Sequence, residues 1–172
     1  METRLTRRTF LKAGLAGAAV LAVAGGLYGF TRRDEPLRPF IFDSGPRSVL
    51  AAVIPVMLKD AVENTPAALD TAIARVQGAV SGLPLVTQKE IQDLFGLLVL
   101  APGRRLLAGV HDDWAAAKPD DVAAFLESWR FHRIGLFQSA YLALHDLIAG
   151  SWYADESTWA SIGYPGPLKE LS

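Results

Sequence analysis

From Val122 to Leu147, the apolar residues Val122, Phe125, Leu126, Trp129, Leu136, Phe137, Ala140, Leu144 and Leu147 recur at the three-to-four-residue interval of an α-helix. That interval lays one stripe along one side of a helix, whereas a half-buried strand needs strict alternation. No other stretch alternates convincingly. The chain is therefore expected to be all-α: a small bundle of about five helices, an irregular aromatic C-terminal tail, and a signal or anchor helix in front.

The other helices follow from the same period. A first runs from about Arg47 to Ala61, with Val49, Leu50, Val53, Ile54, Met57 and Leu58 at helical spacing, and Pro55 predicts a kink or a break within it. A second spans about Pro66 to Val80, where proline suits the first turn and Leu69, Ile73, Val76 and Val80 share a stripe. The third is expected to start at Thr87, which forms a capping box with Glu90, and to stop at Ala101-Pro102-Gly103. A fourth, from about Arg104 to Ala117, places Leu107, Val110 and Trp114 on one side. The fifth opens at Pro119-Asp120-Asp121, whose carboxylates suit the positive end of the helix dipole, and continues to about Ala149.

Ahead of this body lies a different kind of segment. Thr6-Arg7-Arg8-Thr9-Phe10-Leu11-Lys12 matches the S/T-R-R-x-F-L-K pattern of a twin-arginine export signal, read through Arg7, Arg8, Phe10, Leu11 and Lys12. An apolar, Gly/Ala-rich run from Ala13 to Phe30 follows. As a helix its eighteen residues reach roughly 27 Å, close to the hydrocarbon thickness of a bilayer, although five of them are glycine. Ala22-Val23-Ala24 offers a cleavage site, so residues 1–30 are either a removed signal or a retained anchor. Residues 31–46, with Pro36, Pro39, Gly45 and Pro46, read as an extended tether, and residues 47–172 as the helical domain. A chain exported this way crosses the membrane folded, and its destination is the periplasm or the periplasmic face of the inner membrane.

Charge and composition narrow the chemistry. Residues 1–38 carry seven Lys/Arg against three Asp/Glu, and the remainder ten against fifteen. An acidic body without a basic cluster does not fit a nucleic-acid partner, and Arg104-Arg105 is too small a patch to change that. Cysteine is absent, which excludes disulfides, thiolate metal sites and covalent haem attachment. His111, His132 and His145 lack the i, i+3 or i+4 pairing of a helical metal site. Neither His111-Asp112-Asp113 nor His145-Asp146 has the spacing that brings side chains together on a helix. The chain has no G-x-S-x-G, P-loop, G-x-G-x-x-G or H-E-x-x-H pattern, so no nucleophile and base can be named. No catalytic residue, metal site or cofactor of its own is expected.

Two features invite a partner. Arg133 falls inside the stripe of the fifth helix, where a guanidinium needs an ion-pair partner, a route for its head to reach water, or a docked protein. Ser151-Trp152-Tyr153-Ala154-Asp155 and Trp159-Ala160-Ser161-Ile162-Gly163-Tyr164-Pro165-Gly166-Pro167 concentrate rigid aromatic area at the end of the chain. Such a tail either covers its own core or faces a partner, and the two roles can share residues.

The twin-arginine segment, the cysteine-free helical body and the terminal W-x-x-I-G-Y-P-G-P string together resemble the gluconate 2-dehydrogenase subunit 3 family. These are small gamma subunits of membrane-associated flavin dehydrogenases. The resemblance rests on residues 6–12 and on Trp152 through Pro167. It implies a non-catalytic escort for a large FAD-containing subunit without a signal of its own, often joined by a multihaem cytochrome c, with the twin-arginine translocase as export partner. It also marks Trp159, Gly163, Tyr164, Pro165 and Gly166 as signature positions; Trp152 and Tyr153 of the aromatic tail and Arg133 of the stripe are further partner-contact candidates from the residues themselves. The alternative is a stand-alone, membrane-tethered periplasmic helical scaffold, and a small cofactor-free hydrolase is a more remote one.

Overall fold

The helices form where cap chemistry and apolar period agree. Asp43 accepts the Gly45 N–H at 3.0 Å and opens α1, Ser44–Met57. Thr65 accepts the Ala68 N–H at 3.2 Å and opens α2, Pro66–Ser81, with proline in the first turn as expected. Next come α3, Leu85–Val99, and the short α4, Ala101–Leu106. A 3-10 turn at Trp114–Ala116 leads to α5, Pro119–Arg130, which begins at the expected proline with Asp120 and Asp121 in its first turn. The last elements are α6, Gly135–Tyr153, and a 3-10 helix, Glu156–Ile162. This computed structural model describes residues 36–165 except 60 and 64, and among them there are six α-helices and no strand. Residues 1–30, with the export motif and the apolar run, lie outside the described residues.

The described residues from Arg38 onward pack around α1. Val49, Leu50, Val53 and Ile54 of α1 are fully buried, and this helix touches α2, α3, α5, α6 and the 3-10 turn. Phe95, Leu98, Phe125, Trp129, Leu144 and Ile148 complete the core. Each such side chain contributes roughly 1.5–3 kcal/mol on leaving water. Phe40 and Phe42, within the segment read as a tether, also pack here, with ring centroids 6.0 and 5.8 Å from Phe95. Gln88 holds that arm in place: its Oε1 accepts the Phe40 N–H at 2.9 Å while its amide donates to the Leu83 carbonyl at 2.8 Å.

Four expected helix boundaries need correction. Helix α1 runs through Pro55 and ends two residues later rather than at Ala61. Helix α3 starts at Leu85, so Thr87 lies inside its first turn and is not the cap. The expected fourth helix from Arg104 to Ala117 is a six-residue helix followed by a loop and the 3-10 turn. From that 3-10 turn Trp114 donates to the Leu98 carbonyl at 2.8 Å, and from α5 Trp129 donates to that of Leu107 at 2.9 Å. These indole N–H groups satisfy carbonyls that a helix end leaves without partners, so each helix can stop there.

The fourth correction is the largest: the expected 30-residue helix is two helices joined by a turn at residues 131–134. There the Ile134 N–H donates to His132 Nδ1 at 3.1 Å, and the Gln138 amide donates to the His132 carbonyl at 2.7 Å. The chain folds back so that Phe137 meets Trp129, ring centroids 5.4 Å apart.

Candidate interaction surface at the C-terminal joint

Up to Pro165, the tail that was expected to be irregular is a joint that ties the end of α6 and the terminal 3-10 helix to α2. Its pivot is Asp155. One carboxylate oxygen accepts the Ser157 N–H at 2.8 Å, an Asx-type cap for the 3-10 helix, and the other receives Arg75 of α2 at 2.6 Å. Hydrogen bonds from the hydroxyl and amide of Ser157 hold the Asp155 carboxyl below its ordinary range; desolvation opposes them, and the Arg75 charge adds a smaller lowering. The Arg75 guanidinium also lies 4.5 Å from the centroid of the Trp152 ring. Buried Thr158 donates from its hydroxyl to the carbonyls of Asp155 and Trp152, at 2.7 and 3.2 Å.

The string Trp159 to Tyr164 is a helix stop. Gly163 adopts φ 70°, the left-handed conformation that glycine accepts without strain. This lets the Tyr164 N–H donate back to the Trp159 carbonyl at 3.0 Å, the long-range bond of a Schellman motif. The apolar contact that accompanies such motifs is also present, because the Trp159 and Tyr164 rings meet edge to face with centroids 5.2 Å apart. Trp159 Nε1 donates to the Tyr153 carbonyl at 2.8 Å and ties the stop to α6.

The candidate partner contacts therefore divide. Trp152 is buried and belongs to the core, while Tyr153 and Trp159 are half-buried. Ile162, Gly163, Tyr164 and Pro165 are exposed, and Gly166 lies outside the described residues. Arg133 is a correction: it stands exposed on the turn between α5 and α6, away from the tail, because the stripe that was expected to enclose it breaks there. The buried arginine is Arg104, 6% exposed, which reaches Asp113 at 2.7 Å. Nothing in its sequence neighbourhood distinguished it from Arg105.

Beside the joint, a groove of about 500 Å³ runs between α3 and α6. Its apolar lining includes Ile91, Leu94 and Leu147, Gly150 and Ala154 keep one wall low, and Glu90 and Asp146 supply carboxylates. His145 and Asp146 do touch, at 3.1 Å, contrary to expectation for neighbours on a helix, and both side chains are open to water. Among the described residues no group of three or more His, Asp or Glu is placed to hold a metal ion, and no helix is long and apolar enough to cross a membrane. No family model, curated protein or solved structure matches the chain.

Proposed function

We propose that this chain is a non-catalytic small subunit that escorts a folded, FAD-containing dehydrogenase large subunit through the twin-arginine route and stabilises it. The observation that carries the reading is the Trp159-Gly163-Tyr164 stop. As far as Pro165, the string behind the family resemblance forms a pre-ordered knob, with Ile162 and Tyr164 outward, just beyond the helix whose flank lines the α3–α6 groove. Contact area that is already ordered loses little entropy on docking, which favours a lasting assembly. FAD is loaded during cytoplasmic folding, so its host must travel folded, and Arg7-Arg8 would supply the address for both chains. The assembly would then reside in the periplasm or on the periplasmic face of the inner membrane, with a cytochrome c subunit as a further member.

Co-expression with the candidate flavoprotein and cell fractionation test this. Arg7→Lys with Arg8→Lys is expected to abolish periplasmic flavoprotein activity. Ile162→Ala with Tyr164→Ala is expected to leave the small chain exported but to remove the flavoprotein from its pull-down. Periplasmic activity that survives the arginine exchange would overturn the escort reading. A small chain exported normally without any bound flavoprotein would favour the scaffold.

A further inference from the structure

The turn between α5 and α6 and the start of α6 gather large exposed apolar side chains and arginines with no acid among them. Phe131, Ile134 and Leu136 are 68%, 51% and 74% exposed within six residues. Arg130 and Arg133 stand among them, both exposed, with the Arg130 guanidinium 5.2 Å from the Phe131 ring centroid. From Ser128 to His145 the chain has no Asp or Glu, although beyond residue 38 acids outnumber bases fifteen to ten. Glu127 and Asp146 flank this stretch, and Glu127 is the nearer acid, lining a hollow with Arg130 and Phe131. The turn is held from within by the Ile134-to-His132 and Gln138-to-His132 hydrogen bonds, so its apolar side chains are presented rather than collapsed.

We propose that this corner seats on an anionic lipid surface, with Phe131, Ile134 and Leu136 at the boundary between headgroups and acyl chains and Arg130 and Arg133 among the phosphates. A lone exposed leucine is ordinary, whereas three large exposed apolar side chains within six residues are not. Water-exposed apolar groups beside cations, with no acid between them, match the interface of an anionic bilayer in both hydrophobicity and sign. An acidic protein groove offers the same charge but would require shape matching, and it is the alternative that the experiment separates.

The absence of cysteine makes the measurement clean. Leu136→Cys in the full chain carries an environment-sensitive fluorophore. Ala74→Cys, exposed on α2 next to the Arg75 that contacts the opposite end of α6, serves as the control site. With phosphatidylglycerol-containing vesicles the probe at 136 should brighten, shift to the blue and be quenched by lipid spin labels, and the probe at 74 should not. Arg130→Gln with Arg133→Gln should shift the ratio of seated to unseated corner by roughly thirtyfold. No response at 136 overturns the proposal, as does an equal response on purely phosphatidylcholine vesicles. A response that appears only when the flavoprotein is added assigns the corner to a protein partner instead.

Discussion

Gly103 is the third residue of α4, just past the corner at Leu100 where α3 hands over to it, and its hydrogen is the only side chain that fits. A Cβ built there would overlap the backbone carbonyl of Leu97, an atom that cannot swing aside. The neighbouring Arg104 is buried and pinned to Asp113, so the corner cannot simply open. Gly103→Ala should therefore cost about 2–3 kcal/mol and lower the melting temperature by about 10 °C, read by circular dichroism. The same exchange at Gly78, where a Cβ meets nothing within 4 Å, serves as the reference and should be neutral or stabilising. Equal melting temperatures for the two variants would mean that the corner is looser than its contacts imply.

Helix starts separate local from imposed structure. Thr65 caps α2 through a side-chain bond to the Ala68 N–H, whereas α3 begins after Pro84 without a side-chain cap and Thr87 sits in its first turn. Thr65→Ala should cost about 1 kcal/mol, and Thr87→Ala less than about 0.5 kcal/mol, in urea denaturation. A larger loss at Thr87 would place the start of α3 there after all. The capping-box pattern at Thr87 and Glu90 was present in the sequence, but Gln88 anchors to the Leu83 and Phe40 backbones from inside the same turn. Helical geometry is thereby carried back to Leu85.

At the scale of the whole molecule, the Arg75–Asp155 ion pair ties α2 to the segment just after α6, 80 residues further along the chain. Because the Asp155 carboxyl titrates below its ordinary value of 3.8, the folded state binds its proton less readily than the unfolded chain does. Its contribution is complete above that ordinary value and is lost as pH falls through the lowered one. The stability difference between the native chain and Asp155→Asn should therefore be constant at neutral pH and close in strong acid. A difference that closes between pH 7 and 5 would point to another group.

The sequence by itself determined the helical class, the starts of α2 and α5, and most of the apolar residues that fill the core, although Leu136 of the expected stripe is exposed and Phe42 and Ile148 join the core from outside the expected stripes. Those features depend on groups within a few positions of one another: a threonine cap, a first-turn proline, first-turn carboxylates, and a stripe with helical period. Only the tertiary structure decided where the last long stripe breaks. It also decided that Arg104 rather than Arg133 is buried, that Gln88 holds the N-terminal arm, and that the Trp159–Tyr164 string closes a helix. A stripe keeps its phase on paper across a four-residue turn, whereas burial depends on which distant group lies opposite. Here those groups were the Leu107 carbonyl beneath Trp129, Asp113 beside Arg104 and Arg75 across from Asp155.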